Sequence, residues 1–151
     1  MNSMEKSAFV SRARRLAGEC IRMKLEGVGV FSGLKVNEMA AAYDGIGPEW
    51  KWGVISKVID DMDPVFEPAA FVQDIQYHVL PDRSAKCFHQ CNREFYANCL
   101  RCVKEYVPWW RPLRRLRLRR SARKLFEASE EHGLESWSSR GRATPVGGWR
   151  E

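Results

Sequence analysis

No run of about 18 apolar residues occurs anywhere in this chain of 151 residues, so a membrane-spanning helix is not expected. The opening stretch from Met1 to Arg15 lacks the apolar core of a secretory signal, and the expectation is a protein made and kept inside a cell or packaged there. Histidine is scarce, with His78, His89 and His132 as the whole supply, which leaves few side chains able to exchange a proton near neutral pH. Cysteine is present but odd in number, at five, which argues against a secreted disulfide framework. Cys87, Cys91, Cys99 and Cys102 invite a zinc reading. On one continuous helix, however, the two pairs would lie roughly 18 Å apart along the axis, too far for one tetrahedral ion. The simpler reading makes them small buried hydrophobes on a helix face.

What is present fits one mainly α-helical domain with an attached basic segment. The length suits a single core rather than two. The net charge of +6 is unevenly spread: residues 1–110 carry 14 Lys and Arg against 14 Asp and Glu, and residues 111–151 carry 11 against 5. The body is neutral and the C-terminal quarter is basic. Three regions follow: 1–108 as the helical domain, 109–134 as a basic helix or arm, and 135–151, rich in Ser, Gly and Arg, as a tail expected to be disordered.

Within the body, Phe9, Val10, Ala13, Leu16, Ala17, Cys20 and Ile21 recur at helical steps over residues 3–25, with Asn2 and Glu5 spaced as a capping box. Gly27, Gly29 and Gly33 open a loop, and a short helix is expected over Lys35 to Tyr43. Glu49 to Asp63 reads as a short helix or an aromatic-rich loop. Pro68 suits the first turn of a helix over Phe66 to Tyr77. Ser84 is a natural cap for a longer helix from about Ala85 to Tyr106.

Three pieces carry the functional reading: Tyr43-Asp44-Gly45-Ile46-Gly47-Pro48, then Gln73-Asp74-Ile75-Gln76-Tyr77, then Asn92-Arg93-Glu94-Phe95. Glycines before a proline let carbonyls turn toward a common point, where a hard cation could be held, and Asp74 could add a carboxylate. If the two helices fold back on each other around Asp82, paired residue numbers sum to about 165, by the one-face rule for helical neighbours. Tyr77 then meets Phe88, Gln73 meets Asn92, Ala70 meets Phe95 and Phe66 meets Cys99. Two amides face each other in an apolar seam, each able to satisfy the other.

This order of glycine loop, X-Asp-x-x-Tyr helix and antiparallel helix resembles the phospholipase A2 superfamily, closest in style to small phage- and virus-encoded members, over roughly residues 43–103. The resemblance implies a fold of two antiparallel helices preceded by a glycine loop and an N-terminal helix. It implies weakly bound calcium at Tyr43, Gly45, Gly47 and Asp74, with Tyr77 in a supporting role. It also places Gln73 where the family has its catalytic histidine and Asn92 where it has the orienting aspartate. Glutamine has no titratable nitrogen and cannot take a proton from water. The expectation is therefore a pseudoenzyme of phage or prophage type, located in the host cytoplasm or the virion, that binds a protein partner or assembles with itself. The alternatives are an active calcium-dependent lipid hydrolase using displaced residues, and a nucleic-acid-binding protein.

The last alternative rests on the segment after Pro108. From Arg111 to Lys124 there are eight cations and no acidic residue: Arg111, Arg114, Arg115, Arg117, Arg119, Arg120, Arg123 and Lys124. Leu113, Leu116, Leu118, Leu125 and Phe126 are interleaved, with Trp109 and Trp110 just upstream. Such a segment can lie on an anionic membrane surface, neutralise nucleic-acid phosphates, or pack as a helix on the body.

Overall fold

The computed structural model describes residues 2–43 and 63–140, and these are mainly helical with no strand among them. The loop at Gly45 and Gly47 and most of the Glu49–Asp63 stretch lie outside the described residues. Helix α1 spans Ser3–Arg22. Asn2 caps it by accepting the Glu5 N–H at 2.8 Å, and Glu5 returns the bond to the Asn2 N–H at 3.0 Å. Ala13, Leu16, Ala17 and Cys20 form its buried stripe at three- and four-residue steps, as the periodicity predicts.

The chain then turns at Lys24 and Gly27, both with positive φ, and passes through a 3-10 turn at Val28–Phe31. Gly27 is required twice over. Its φ is +83°, and a Cβ there would sit 2.3 Å from Gln76 Nε2 and 2.9 Å from Glu94 Oε2. Asn98 staples this turn to the body: its Oδ1 accepts the Glu26 N–H at 2.7 Å and its Nδ2 donates to the Glu26 carbonyl at 2.9 Å. Helix α2 follows at Val36–Ala42.

Asp63 caps a 3-10 turn at Pro64–Phe66, which leads into α3, Glu67–Val79, with Pro68 in its first turn. Ser84 Oγ accepts the Cys87 N–H at 3.2 Å and starts α4, Ala85–Tyr106, which is one unbroken helix. The last element, α5, spans Pro112–Arg140. Helix α4 is central, packing along α3 on one side and α5 on the other, and α1 packs on α2 and α3. The main core holds Leu16, Met23, Phe31, Phe66, Phe71, Ile75, Phe95 and Val103. A second cluster of Tyr77, Phe88, Cys91 and Trp137 closes the end where α3 turns into α4.

The C-terminal region keeps to the packed-helix reading and departs from expectation only beyond residue 134. The segment after Pro108 is one face of a long packed helix, with Leu118, Ala122 and Leu125 buried. It does not stop at residue 134: α5 continues to Arg140, and Trp137 is 1% exposed. The polar composition after Glu135 conceals this single anchor. Trp137 stacks under the Arg83 guanidinium, 3.7 Å from its ring centroid. Its indole N–H donates to the Arg83 carbonyl at 3.2 Å, and Arg83 donates back to the Trp137 carbonyl. Residues 141–151 of the expected tail lie outside the described residues.

Candidate functional site

The seam between α3 and α4 brings the two amides together. Gln73 Nε2 donates to Asn92 Oδ1 at 3.1 Å, and Tyr77, one turn further along α3, donates its hydroxyl to the same oxygen. Tyr77 also lies against Phe88, with ring centroids 5.9 Å apart, so the antiparallel register expected around Asp82 holds at both ends of this short stretch. Gln73, Tyr77 and Asn92 are all buried. Asn92 Nδ2 has no hydrogen-bond partner among the described residues.

What covers this network comes from α5. Ser129 Oγ lies 3.4 Å from Gln73 Nε2. One turn on, Gly133 passes so close that a Cβ there would stand 3.0 Å from Tyr77 Oη and 3.1 Å from Phe88 Cε2. With no side chain at Gly133, α5 lies close on the seam without pressing on the Tyr77 hydroxyl and the Phe88 ring. One turn further, Trp137 meets Tyr77 edge-on with centroids 5.3 Å apart. Sequence reasoning missed Ser129, Gly133 and Trp137. Their signal was the spacing Leu125, Ser129, Gly133, Trp137, four residues apart each time, hidden because only two of the four are apolar side chains.

The chemistry available in the seam is narrow. Neither amide can accept a proton as a base does. Burial first, and then the nearby Cys91 and Asp74, hold the Tyr77 phenol well above its ordinary pKa, so Tyr77 stays a neutral donor. A second polar rung, Gln76 Nε2 donating to Glu94 Oε2 at 2.5 Å, crosses the same two helices beneath Gly27. Two of the three histidines pair elsewhere. His89 pairs across the α4–α5 interface with Glu130, and His132 lies 3.5 Å from Glu131.

Of the residues the resemblance assigns to calcium, Tyr43 and Asp74 are buried. Tyr43 packs edge-on against Phe71 with centroids 5.2 Å apart. The described half of that set supplies one carboxylate, a poor start for an ion that takes about six to eight oxygens. No group of three or more His, Cys, Asp or Glu side chains able to hold a metal ion occurs among the described residues. All five cysteines are unbridged. Burial pushes Cys20, Cys91 and Cys102 up to about 12, and Cys99 also lies well above its ordinary value for the same reason. These are inert core thiols.

The eight cations of the basic segment divide into two groups. Arg115 is structural: its guanidinium caps the end of α4, donating to the Val107 carbonyl at 2.7 and 3.0 Å and to the Lys104 carbonyl at 3.3 Å. Arg114 lies 3.7 Å from Asp63. Arg123 bonds Glu127 at 3.1 Å and sits over the Tyr96 and Phe126 rings. Arg111, Arg117, Arg119, Arg120 and Lys124 are exposed to solvent. Beside them Trp109 is 80% exposed, Trp110 64%, Leu113 81% and Leu116 45%. No protein-family model matches the chain, and neither the curated proteins nor the solved structures yield a match.

Proposed function

We propose that this chain is a phospholipase A2-like helical scaffold that has given up hydrolysis and works by binding, as a virion or assembly component or a host-interaction protein of phage type. The observation that carries the reading is the Gln73–Asn92–Tyr77 network. It joins two helices through neutral groups, contains no proton acceptor of suitable strength, and is covered by Ser129 and Gly133. A hydrolytic centre needs a base within reach of a water and a path for substrate. This seam offers a hydrogen bond in place of the first and a helix across the second. Tyr43 and Asp74 remain candidates for weak calcium binding, on which the reading does not depend.

The test is a vesicle hydrolysis assay on the full chain, run with calcium and with chelator. The expected result is no calcium-dependent release of fatty acid. Clear release would overturn the proposal in favour of an active hydrolase using displaced residues. The double substitution Gln73→His with Asn92→Asp is also expected to stay inactive in the full chain, because α5 still covers the pair.

A further inference from the structure

The exposed corner where α4 turns into α5 belongs to neither the core nor the seam, and it lies beyond the residues that carry the family resemblance. Trp109 and Trp110 sit in a turn in which the Arg111 N–H bonds the Pro108 carbonyl at 3.0 Å. Leu113 and Leu116 follow on the first turns of α5. Four large apolar side chains thus face solvent within eight residues, between 45% and 81% exposed. Burying them against water-excluding matter is favourable, and a cluster of large exposed apolar side chains marks a surface that meets something other than water.

The charge next to this patch is of one sign. Leu113, Arg117, Arg120 and Lys124 succeed one another at four-, three- and four-residue steps, which is one stripe of a helix. Leu118, Ala122 and Leu125 occupy the other side and are buried. Arg111, just before the helix, and Arg119 are exposed as well, and no acidic residue occurs between Glu105 and Glu127. A second copy of this surface would repel the first, so self-association through it is disfavoured. The complement of this surface is an anionic one.

We infer that this corner docks on an anionic lipid bilayer surface, with Trp109, Trp110, Leu113 and Leu116 entering the interface and Arg111, Arg117, Arg119, Arg120 and Lys124 meeting the headgroups. Membrane interfaces favour tryptophan at headgroup level with aliphatic side chains below it and cations alongside. A nucleic acid would use the cations and could stack on the tryptophans, but it leaves Leu113 and Leu116 without a role. The apolar group therefore decides between the two classes. No helix among the described residues is long and apolar enough to cross a bilayer, so the association is peripheral.

The experiment is co-sedimentation of the full chain with phosphatidylcholine vesicles, with and without phosphatidylserine, in chelator and across a salt series. The expected result is phosphatidylserine-dependent binding that weakens as salt rises. Each cation removed should cost about five-fold in partition, so Arg117→Ala, Arg120→Ala and Lys124→Ala together should cost about a hundred-fold. Trp109→Ser with Trp110→Ser should remove the blue shift of tryptophan emission on vesicle addition. All five side chains are exposed, and circular dichroism should show the fold unchanged. Absence of phosphatidylserine-dependent binding would overturn the inference. So would binding that ignores the tryptophan pair, or salt-sensitive capture of single-stranded DNA or RNA with no affinity for vesicles. Fatty-acid release is read separately: release would sink the pseudoenzyme proposal and leave the docking result standing, and failure to bind vesicles would do the reverse.

Discussion

The two halves of α5 are built from one continuous helix and do opposite things. From Pro112 to Lys124 it turns cations and two leucines toward water and keeps only Leu118 and Ala122 fully buried. From Leu125 to Arg140 it closes the molecule, laying Ser129, Gly133 and Trp137 over the α3–α4 seam. The first half is conspicuous in composition, whereas the other half has the composition of a polar tail. Composition thus marks where a helix meets solvent, while anchoring depends on a few residues at the correct spacing. Helices draw most of their stability from packing of one face rather than from propensity, and one tryptophan and one glycine can supply that face.

The largest effect should come from the anchor. Trp137 is fully buried against Tyr77, Phe88 and Arg83. Trp137→Ala should destabilise the chain by about 3–5 kcal/mol, as large aromatic truncations in cores do. Urea melts followed by circular dichroism measure this, and amide exchange should rise in residues 125–140 before it rises in α4. A loss below about 1 kcal/mol would mean that the C-terminal half of α5 is no more anchored than the first.

Next comes the seam beneath it. Asn92→Ala removes the acceptor for both the Gln73 amide and the Tyr77 hydroxyl, leaving the buried Tyr77 hydroxyl unmet and Gln73 Nε2 with only Ser129 Oγ at 3.4 Å. The expected cost is about 2–3 kcal/mol. The triple change Gln73→Leu, Asn92→Leu and Tyr77→Phe removes every polar member at once and should recover most of that loss, because an unsatisfied group costs more than an absent one. The difference between the two variants separates the cost of leaving a buried donor unmet from that of losing the bonds altogether. Equal losses would show that shape rather than hydrogen bonding holds the seam.

The seam was legible in the sequence and its cover was not. Gln73, Tyr77 and Asn92 sit on helices with strong apolar periodicity, a clear N-cap at Ser84 and a proline turn between them, so a fold-back around Asp82 fixes who meets whom. The register follows from local rules. The capping box at Asn2 and Glu5, the short helix before Tyr43 and the unbroken α4 were readable for the same reason. The placement of α5 is a tertiary fact. It depends on Gly133 having no side chain over Tyr77, on Trp137 finding Arg83, 54 residues away in sequence, and on Arg115 capping α4. Charge counting treated Arg115 as one more cation of a basic arm, because nothing local distinguishes it from Arg117. The close approach of Gly27 to Gln76 and Glu94 was hidden likewise, since a loop glycine does not announce what lies against it.

Arg115 gives the intermediate test. Replacing it with alanine leaves the last carbonyls of α4 without a charged donor, at a cost of about 1–2 kcal/mol. Arg115→Lys should recover only part, since an ammonium cannot reproduce the forked contact with Val107 and the reach to Lys104 together. Denaturant melts of the two variants give the comparison. A null result for both would return Arg115 to the solvated group.

The smallest effect should fall on the solvated face itself. Arg117, Arg120 and Lys124 stand one turn apart with like charge, and such pairs on a helix cost a few tenths of a kcal/mol each. Removing Arg120, the middle member, should therefore leave stability within about 0.5 kcal/mol of the parent, with the sign favouring the variant at low salt. Added salt should stabilise the parent and leave Arg120→Ala less changed, since screening relieves a repulsion the variant no longer has. If Arg120→Ala instead lost more than about 1 kcal/mol, this face would be structural and α5 would hold by its whole length. A stability change near zero leaves the exposed stripe of Arg117, Arg120 and Lys124, unlike Arg115, with no task in holding the fold, and its work is then to be sought in what it meets outside the chain.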